Sequence, residues 1–357
     1  MNSQHGSHGW HLSGTGAALL SALLFGVTTP LAKQLLTNTH PLIIAGLLYA
    51  GSGVGLTLLI LAQDHGRFTL SLERSDRPWL AAAVAFGGVL APALLMYGLA
   101  QADAAAASLL LNLEAVLTAV IAWVVFREAT SRRVVLGFVA IFAGSLVLVW
   151  PKALNAHQST FALSAIAAAC LCWALDNNFT RKISSGDARS IAAVKGLAAG
   201  ATNIGLALAF HAATPSAGKL WASLTLGFLG YGMSLVLFIF ALRNLGTART
   251  GAYFATAPFI GSGIAILLYG QAVGWAFWVA ASCMAIGVWL HLTEDNEHDH
   301  VHQLLVHSHA HSHDSHHQHE HEPGWDGSDP HVHEHRHEPM RHRHPHYPDI
   351  HHEHTHS

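Results

Sequence analysis

"YGLAQADAAAASLLLNLEAVLTAVIAWVVFRE", Tyr97 to Glu128, lines up without a gap on "FALRNLGTARTGAYFATAPFIGSGIAILLYGQ", Phe240 to Gln271. Identity is weak, but the order of features repeats. Carrying the same offset onward pairs Gly144 with Gly287, and nearer the start of each half "FGVTTPLAK" (Phe25 to Lys33) matches "WALDNNFTR" (Trp173 to Arg181). A chain that repeats itself in this way is built from two copies of one unit, so the content of that unit decides the fold.

The unit is apolar. Crossing a hydrocarbon layer of ~30 Å takes about 20 residues of helix. Blocks of that size fall near 14–36, 40–62, 79–100, 104–126, 133–150, 160–182, 189–211, 219–243, 248–270 and 273–292. Helices buried in a soluble protein would keep a polar face at a 3.6-residue period, and stretches such as "SALLFGVTTPLA" and "AVLTAVIAWVVF" have none. The expected fold class is therefore all-α. It is a polytopic membrane protein of ten transmembrane helices in two five-helix repeats, followed by a disordered tail. An odd number of spans per repeat inserts the second copy upside down, the arrangement by which many secondary transporters place a substrate site near the bilayer midplane.

Loop charges set the orientation. With the N-terminus inside, the cytoplasmic loops carry Arg67, Arg74, Arg77, Arg127, Arg132, Arg133, Arg181, Lys182, Arg189, Arg243 and Arg249, while the opposite loops carry Lys152 and Lys219. Both termini are expected in the cytoplasm, with the chain in a bacterial-type cytoplasmic (inner) membrane. Residues 1–13 lack the basic n-region of a cleavable signal peptide, so the first span is expected to be retained. The boundaries that follow are a short N-terminus at 1–13, a first repeat at 14–150, a second at 160–292 and a tail at 293–357.

The tail is a different polymer. From Glu294 to the end it holds 22 His, 13 Asp or Glu, three Arg and no Lys. Such a composition cannot bury enough apolar surface to offset its ordering entropy, hence the expectation of disorder. Neutral imidazole suits nickel, cobalt, zinc and copper, and a histidine of ordinary pKa, ~6.5, is mostly neutral near pH 7. The candidate metal ligands are His307, His309, His311, His313, His316, His317, His319, His321, His331, His333, His335, His337, His342, His344 and His346. Their irregular spacing suggests many labile sites. The pattern H-E-x-x-H occurs twice, at His333–His337 and His352–His356. A zinc peptidase needs that motif on a helix; here Pro339 and Pro345 follow the first copy and histidine alternates throughout, so no enzyme is inferred. No G-x-x-x-x-G-K-[ST] motif supports an ATP-driven pump. Cys170 and Cys172, two apart on a helix, make a poor chelate and read as packing residues.

The block "NLEAVLTAVIAWVVFREATSRRVVLGFVAIFAGSLVLV", with its apolar helix ending in Glu128, its polar turn and its glycine-containing helix, resembles the EamA family of the drug/metabolite transporter superfamily. The likeness covers roughly 14–292. The tail resembles those of nickel/cobalt resistance exporters. The family resemblance implies an export-type carrier of small solutes with cytoplasmic termini, and leaves the substrate open between amino acids, other metabolites and drugs. Gln271 stands where the first half has Glu128, so a symmetric role for that acid is not implied.

Polar side chains within spans cost at least ~2.5–3.5 kcal/mol at a helix centre and tend to face a partner or a cavity. Glu114, beside Asn112, falls near the middle of the fourth span and is a candidate either for the translocation path or a proton relay, or for a structural partner bonded to a neighbouring helix. Asp176, followed by Asn177 and Asn178, lies at a depth similar to Lys195, so either the two form an ion pair or Lys195 snorkels to the interface. Lys33 is a further path candidate or an interfacial anchor. Gly26, Pro30 and Pro258 can interrupt their helices, whereas Gly196 and Gly200 read as close packing. The expected partners are the bilayer and a small solute or metal ion, with no nucleic acid. No cofactor is required, although the tail is expected to bind nickel, cobalt or zinc. The first functional reading is proton-coupled efflux of a divalent transition metal. The alternative is an amino-acid or metabolite exporter with a metal-sensing tail.

Overall fold

A computed structural model describes residues 13–68, 74–126, 132–150, 160–183, 187–245, 250 and 253–293, together with tail segments 297–301, 305–311, 331–337 and 341–345. The chain divides into two compact units, 1–294 and 295–357. The expected ligands His313, His316, His317, His319, His321 and His346, along with Arg127, Glu128, Lys152 and Arg249, lie outside the described residues.

The first unit is helical. In chain order it contains α1 (Gly14–Leu35), α2 (Pro41–Gln63), α3 (Arg77–Ala83), a π-helical turn (Val84–Leu90), α4 (Ala91–Gln101), α5 (Ala104–Leu110), α6 (Asn112–Phe126) and α7 (Arg132–Val149). These are followed by α8 (Thr160–Lys182), α9 (Ala188–Ala209), α10 (Ala217–Gly227), a second π-helical turn (Phe228–Met233), α11 (Ser234–Leu245), α12 (Ala257–Tyr269) and α13 (Trp275–Leu292). Starts and stops follow from local chemistry. The Ser13 hydroxyl accepts the Gly16 amide at the head of α1, and His40 Nδ1 accepts the Leu42 amide at the head of α2, where Pro41 spends no donor. Gly270, at φ 58°, closes α12 in the left-handed conformation that a side chain disfavours.

Among the described residues, seven helical stretches are long and apolar enough to cross a membrane, and three shorter apolar helices lie at 135–148, 257–269 and 275–290. The outward face is apolar too. Leu267 is 84% exposed and Trp275 76%, with Trp221, Trp278 and Trp289 also at the surface. Water would not tolerate so much continuous apolar surface on a monomer, whereas lipid does, with tryptophans favoured at its borders.

Inside, helices meet through small residues and cross-helix hydrogen bonds, the usual means of association where no hydrophobic drive separates helix from lipid. Ser21 Oγ donates to the Ser234 carbonyl at 2.7 Å while Ser234 Oγ donates to the Ser21 carbonyl at 2.9 Å. Tyr269 Oη donates to the carbonyl of Pro30, which sits inside α1. Gly196 and Gly200, read as packing residues, bear this out: an added Cβ at Gly200 would lie 2.6 Å from the Ala50 nitrogen, and one at Gly196 would lie 2.7 Å from the Gly53 nitrogen.

Two contact patterns are reciprocal. A Cβ on Gly144 would meet the Ala280 carbonyl oxygen at 2.8 Å and Met284 Cγ at 2.9 Å; one on Gly287 would meet the Gly137 oxygen at 2.6 Å and Ile141 Cγ1 at 2.5 Å. Adding 143 to 137, 141 and 144 gives 280, 284 and 287, so each partner set is the other's counterpart. Likewise Gly87 of the first π turn abuts Asp176, and Gly230 of the second abuts Thr28.

The second unit has short strands among its described residues. They are β1 (Glu297–Val301), β2 (Leu305–His311), β3 (His331–His337) and β4 (Arg341–Pro345), with β1 paired to β4 and β2 to β3, both antiparallel. A histidine at every second position has the period of a strand, which the backbone adopts here.

Candidate functional site

Glu114 sits in the first turn of α6, just after the chain breaks regular helix at Leu111. There the Leu111 amide bonds the Ser108 carbonyl, the Glu114 amide bonds the Leu111 carbonyl, and Asn112 Nδ2 donates to the Leu109 carbonyl at 3.0 Å. This tightened turn aims Glu114 at α8. Asn177 Nδ2 donates to Glu114 Oε1 at 3.0 Å and to Thr118 Oγ1 at 3.1 Å. The Glu114 side chain is partly buried, and Asn177, which bonds it, is exposed.

One residue earlier on α8, Asp176 faces the other way and is buried. Its Oδ2 pairs with Lys195 Nζ of α9, and its Oδ1 accepts Thr180 Oγ1 at 3.0 Å. Of the two readings of Lys195, ion pair or interfacial anchor, the pair with Asp176 is the one formed, with 5% of the aspartate side chain and 18% of the lysine exposed. Two opposite charges that bond each other and a hydroxyl meet most of the requirement for burial. The pair adds no net charge beside Glu114.

The first π turn supplies the wall. A π turn loosens the regular ladder and frees carbonyls. Here the Gly87 oxygen accepts Tyr49 Oη at 2.7 Å and Trp173 Nε1 at 3.0 Å, and the Gly88 oxygen accepts Asn203 Nδ2 at 3.0 Å. Side chains from α2, α8 and α9 thus take up the freed acceptors. Tyr49 stacks at 5.4 Å on Tyr231 of the second π turn, Tyr231 meets Phe25 edge-on at 5.9 Å, and Phe25 lies 5.4 Å from Phe254.

The other sequence candidates separate from this cluster. Asn178 Nδ2 bonds the Ala174 carbonyl at 2.8 Å and the Thr118 carbonyl at 3.2 Å, tying α8 to α6. Asn112 bonds back into its own turn and lies 4.0 Å from Met284 Sδ. Lys33 Nζ donates to the Leu99 and Ala100 carbonyls at 2.7 and 2.9 Å, neutralising the C-terminal end of α4. Asn177, Thr118, Tyr49 and Trp173 were not selected from sequence. The signals that point to them are the polar neighbour of Asn178 and a tyrosine and a tryptophan within apolar spans. Among the described residues of the helical unit, no three His, Cys, Asp or Glu side chains group as metal ligands would. His40 caps a helix, and a small cavity of about 40 Å³ lined by Asp103, Gln271 and Phe277 shares no residue with the cluster.

The profile of the EamA-like transporter family matches residues 12–150 and again 160–293. An uncharacterized transporter from Methanothermobacter thermautotrophicus is 24% identical over 303 residues, covering 80% of this chain and 88% of that one. A solved crystal structure 20% identical superposes with a TM-score of 0.58, over 78% of this chain and 96% of the other, and speaks for the fold alone.

Proposed function

Because the chain belongs to the EamA-like transporter family, a family of multi-pass membrane transporters of small solutes, we propose that it is a proton-coupled secondary exporter in which Glu114 exchanges a proton for cargo. The observation that carries this reading is the placement of the Glu114 carboxylate: partly buried within the helical unit and held by the neutral amide of the exposed Asn177. The nearby Asp176–Lys195 pair is charge-neutral. Glu114 is thus the group whose charge changes when a proton or a cation arrives, and an intramembrane acid in such a position is a functional candidate by default.

The architecture proposed for it is ten spans in two inverted five-helix halves. In its favour are the twofold match of the family profile, the exchanged partners of Gly144 and Gly287, and the two π turns. Under this alignment the acidic site is one-sided. Glu114 corresponds to Ala257 (offset 143), and Asp176 to Thr28 (offset 148). The loop arginines favour cytoplasmic termini in a bacterial-type inner membrane.

For the cargo, the first reading is a divalent transition metal, nickel or cobalt ahead of zinc. It is supported by the 22 histidines on the side from which an exporter loads. A second reading, export of an amino acid or other small metabolite, is favoured by the composition of the site itself: one carboxylate, asparagine amides and aromatic rings, without a ligand trio. Everted vesicles carrying the protein separate the two. Radioactive nickel entering against an imposed proton gradient supports the metal reading. Gradient-driven entry of labelled amino acids without nickel supports the second. Uptake that Glu114→Gln leaves intact overturns the role given to Glu114.

A further inference from the structure

We propose that the part of α1 beyond Pro30 is a gate of the transport path, hinged at Gly26–Pro30 and held shut by Lys33 and Tyr269. The inference rests on the transporter family of the chain and not on the role given to Glu114 or on the cargo.

The latch is polar and reaches the segment from two sides. Lys33 Nζ donates to the Leu99 and Ala100 carbonyls at 2.7 and 2.9 Å, tying α1 to the last turn of α4. Tyr269 Oη, from the last turn of α12, donates to the Pro30 carbonyl at 2.7 Å. Helix α12 is itself anchored to α5: Ser262 Oγ donates to the Ala105 carbonyl at 2.7 Å, and Gln271, just past α12, accepts the Ala105 amide at 3.3 Å. That amide belongs to the first turn of α5, where backbone donors have no partner within their own helix. The tyrosine therefore clamps α1 to the joined α5 and α12, and the lysine clamps it to α4. The adjoining cavity, lined by Ala105, Ala106, Gln271 and Phe277 among others, measures about 40 Å³, room for a few waters and nothing larger.

The hinge follows from the sequence of α1. Pro30 has no amide hydrogen, so the Gly26 carbonyl lacks the donor that a regular helix would supply four residues on. Gly26 also lies hard against α12. A Cβ added to it would fall 2.5 Å from the Ala257 oxygen, and one added to Gly261 would fall 2.7 Å from the Gly26 oxygen and 3.0 Å from Ser108 Oγ. Helices α1, α5 and α12 thus meet at Gly26, Ser108 and Gly261. Ser108 is buried, and its hydroxyl has no hydrogen-bond partner. A carbonyl missing its regular donor and a hydroxyl without an acceptor border the same α-carbon. This arrangement leaves polar atoms unsatisfied that another arrangement of the same helices can satisfy, the mark of one state of two.

Opening is reversible at this depth. Ala100 is exposed, so water can take over the lysine's bonds to α4. The segment's other contacts, through buried Ala32 and Leu36, are apolar and non-directional. Position is therefore set by Lys33 and Tyr269.

Side-specific labelling tests this. In the full-length chain, Cys170→Ala, Cys172→Ala and Cys283→Ala remove the native thiols, and Ser108→Cys supplies one reporter, an exchange that breaks no hydrogen bond. A membrane-impermeant methanethiosulfonate reagent is applied to right-side-out and everted vesicles in turn. Thr37→Cys, in the exposed turn after α1, identifies the face that carries Lys33. From that face, Lys33→Met is expected to speed labelling of the reporter about tenfold and Tyr269→Phe about threefold, with no rise from the other face. Lys33→Arg, which still reaches the carbonyls, is expected to label like the native chain. An equal rise from both faces would mark general loosening and overturn the gate. Rates unchanged by Lys33→Met and by Tyr269→Phe would overturn the latch. If Lys33→Met fails to fold, Tyr269→Phe, which removes a single oxygen, decides alone. None of these readings uses a cargo, a proton gradient or Glu114, so their failure leaves the proposed function standing.

Discussion

The Asp176 carboxylate lies against the α-carbon of Gly87, so closely that a methyl group on Gly87 would overlap it. The loosened turn between α3 and α4 and the buried ion pair of α8 and α9 are thus one packed assembly. Gly87→Ala is expected to destabilise the protein by about 1–3 kcal/mol, the usual range for overpacking. Gly263→Ala, on α12 with nothing within 4 Å of its added carbon, is expected to be neutral or slightly stabilising. Thermal unfolding of the two variants in detergent checks the contrast.

Removing one member of the Asp176–Lys195 pair leaves a buried charge behind. Asp176→Asn or Lys195→Met alone is expected to cost about 3–5 kcal/mol, and the double variant to recover most of it. A double-mutant cycle on unfolding measures this. Additive losses would show that the two charges do not sense each other.

Transport and folding should come apart at Glu114. Glu114→Gln preserves the shape that Asn177 bonds but cannot carry a proton, so vesicle uptake is expected to fall to background while the unfolding temperature stays close to native. Thr118→Val, which removes the hydroxyl that helps aim Asn177, is expected to weaken uptake partially.

At the membrane border, Asp187 caps α9 by accepting from the Arg189 and Ser190 amides. Burial acts to raise its pKa but is outweighed by the hydrogen bonds from Ser190 and Arg189 and by the Arg189 charge, leaving it below the ordinary carboxylate value. A lowered folded pKa means that the cap's contribution is complete above the unfolded-chain value and disappears as pH falls through the folded one. Asp187→Ala is expected to cost about 1 kcal/mol near neutrality and to flatten the acid side of the stability profile, read from unfolding temperatures across a pH series.

The spans were legible because lipid demands long unbroken apolar runs, but the Asp176–Lys195 pair was legible only as one of two readings, because a lysine stem at that depth can also reach the interface. The choice among Asp176, Asn177 and Asn178 was not legible. Neighbouring helical residues point about 100° apart, and only the rotation of α8 against α6 makes Asn177 the partner of Glu114 and leaves Asn178 as a backbone tie. Lys33 was ambiguous for a related reason: its long stem reaches either a site or a helix end, and the carbonyls of α4 decide it. The π turns left only faint traces, the small pairs Gly87–Gly88 and Gly230–Gly232.

The seam between α2 and α9 carries a mechanical consequence. Where Gly53 meets Gly196 and Gly200 meets Ala50, the two rods touch almost backbone to backbone, and larger side chains such as Ile204 against Gly46 interlock only towards the ends of the seam. Such a bearing resists separation, because contact is close along its length, yet offers little friction to sliding or rolling. Bulky residues introduced there would act as a brake before they acted as a wedge.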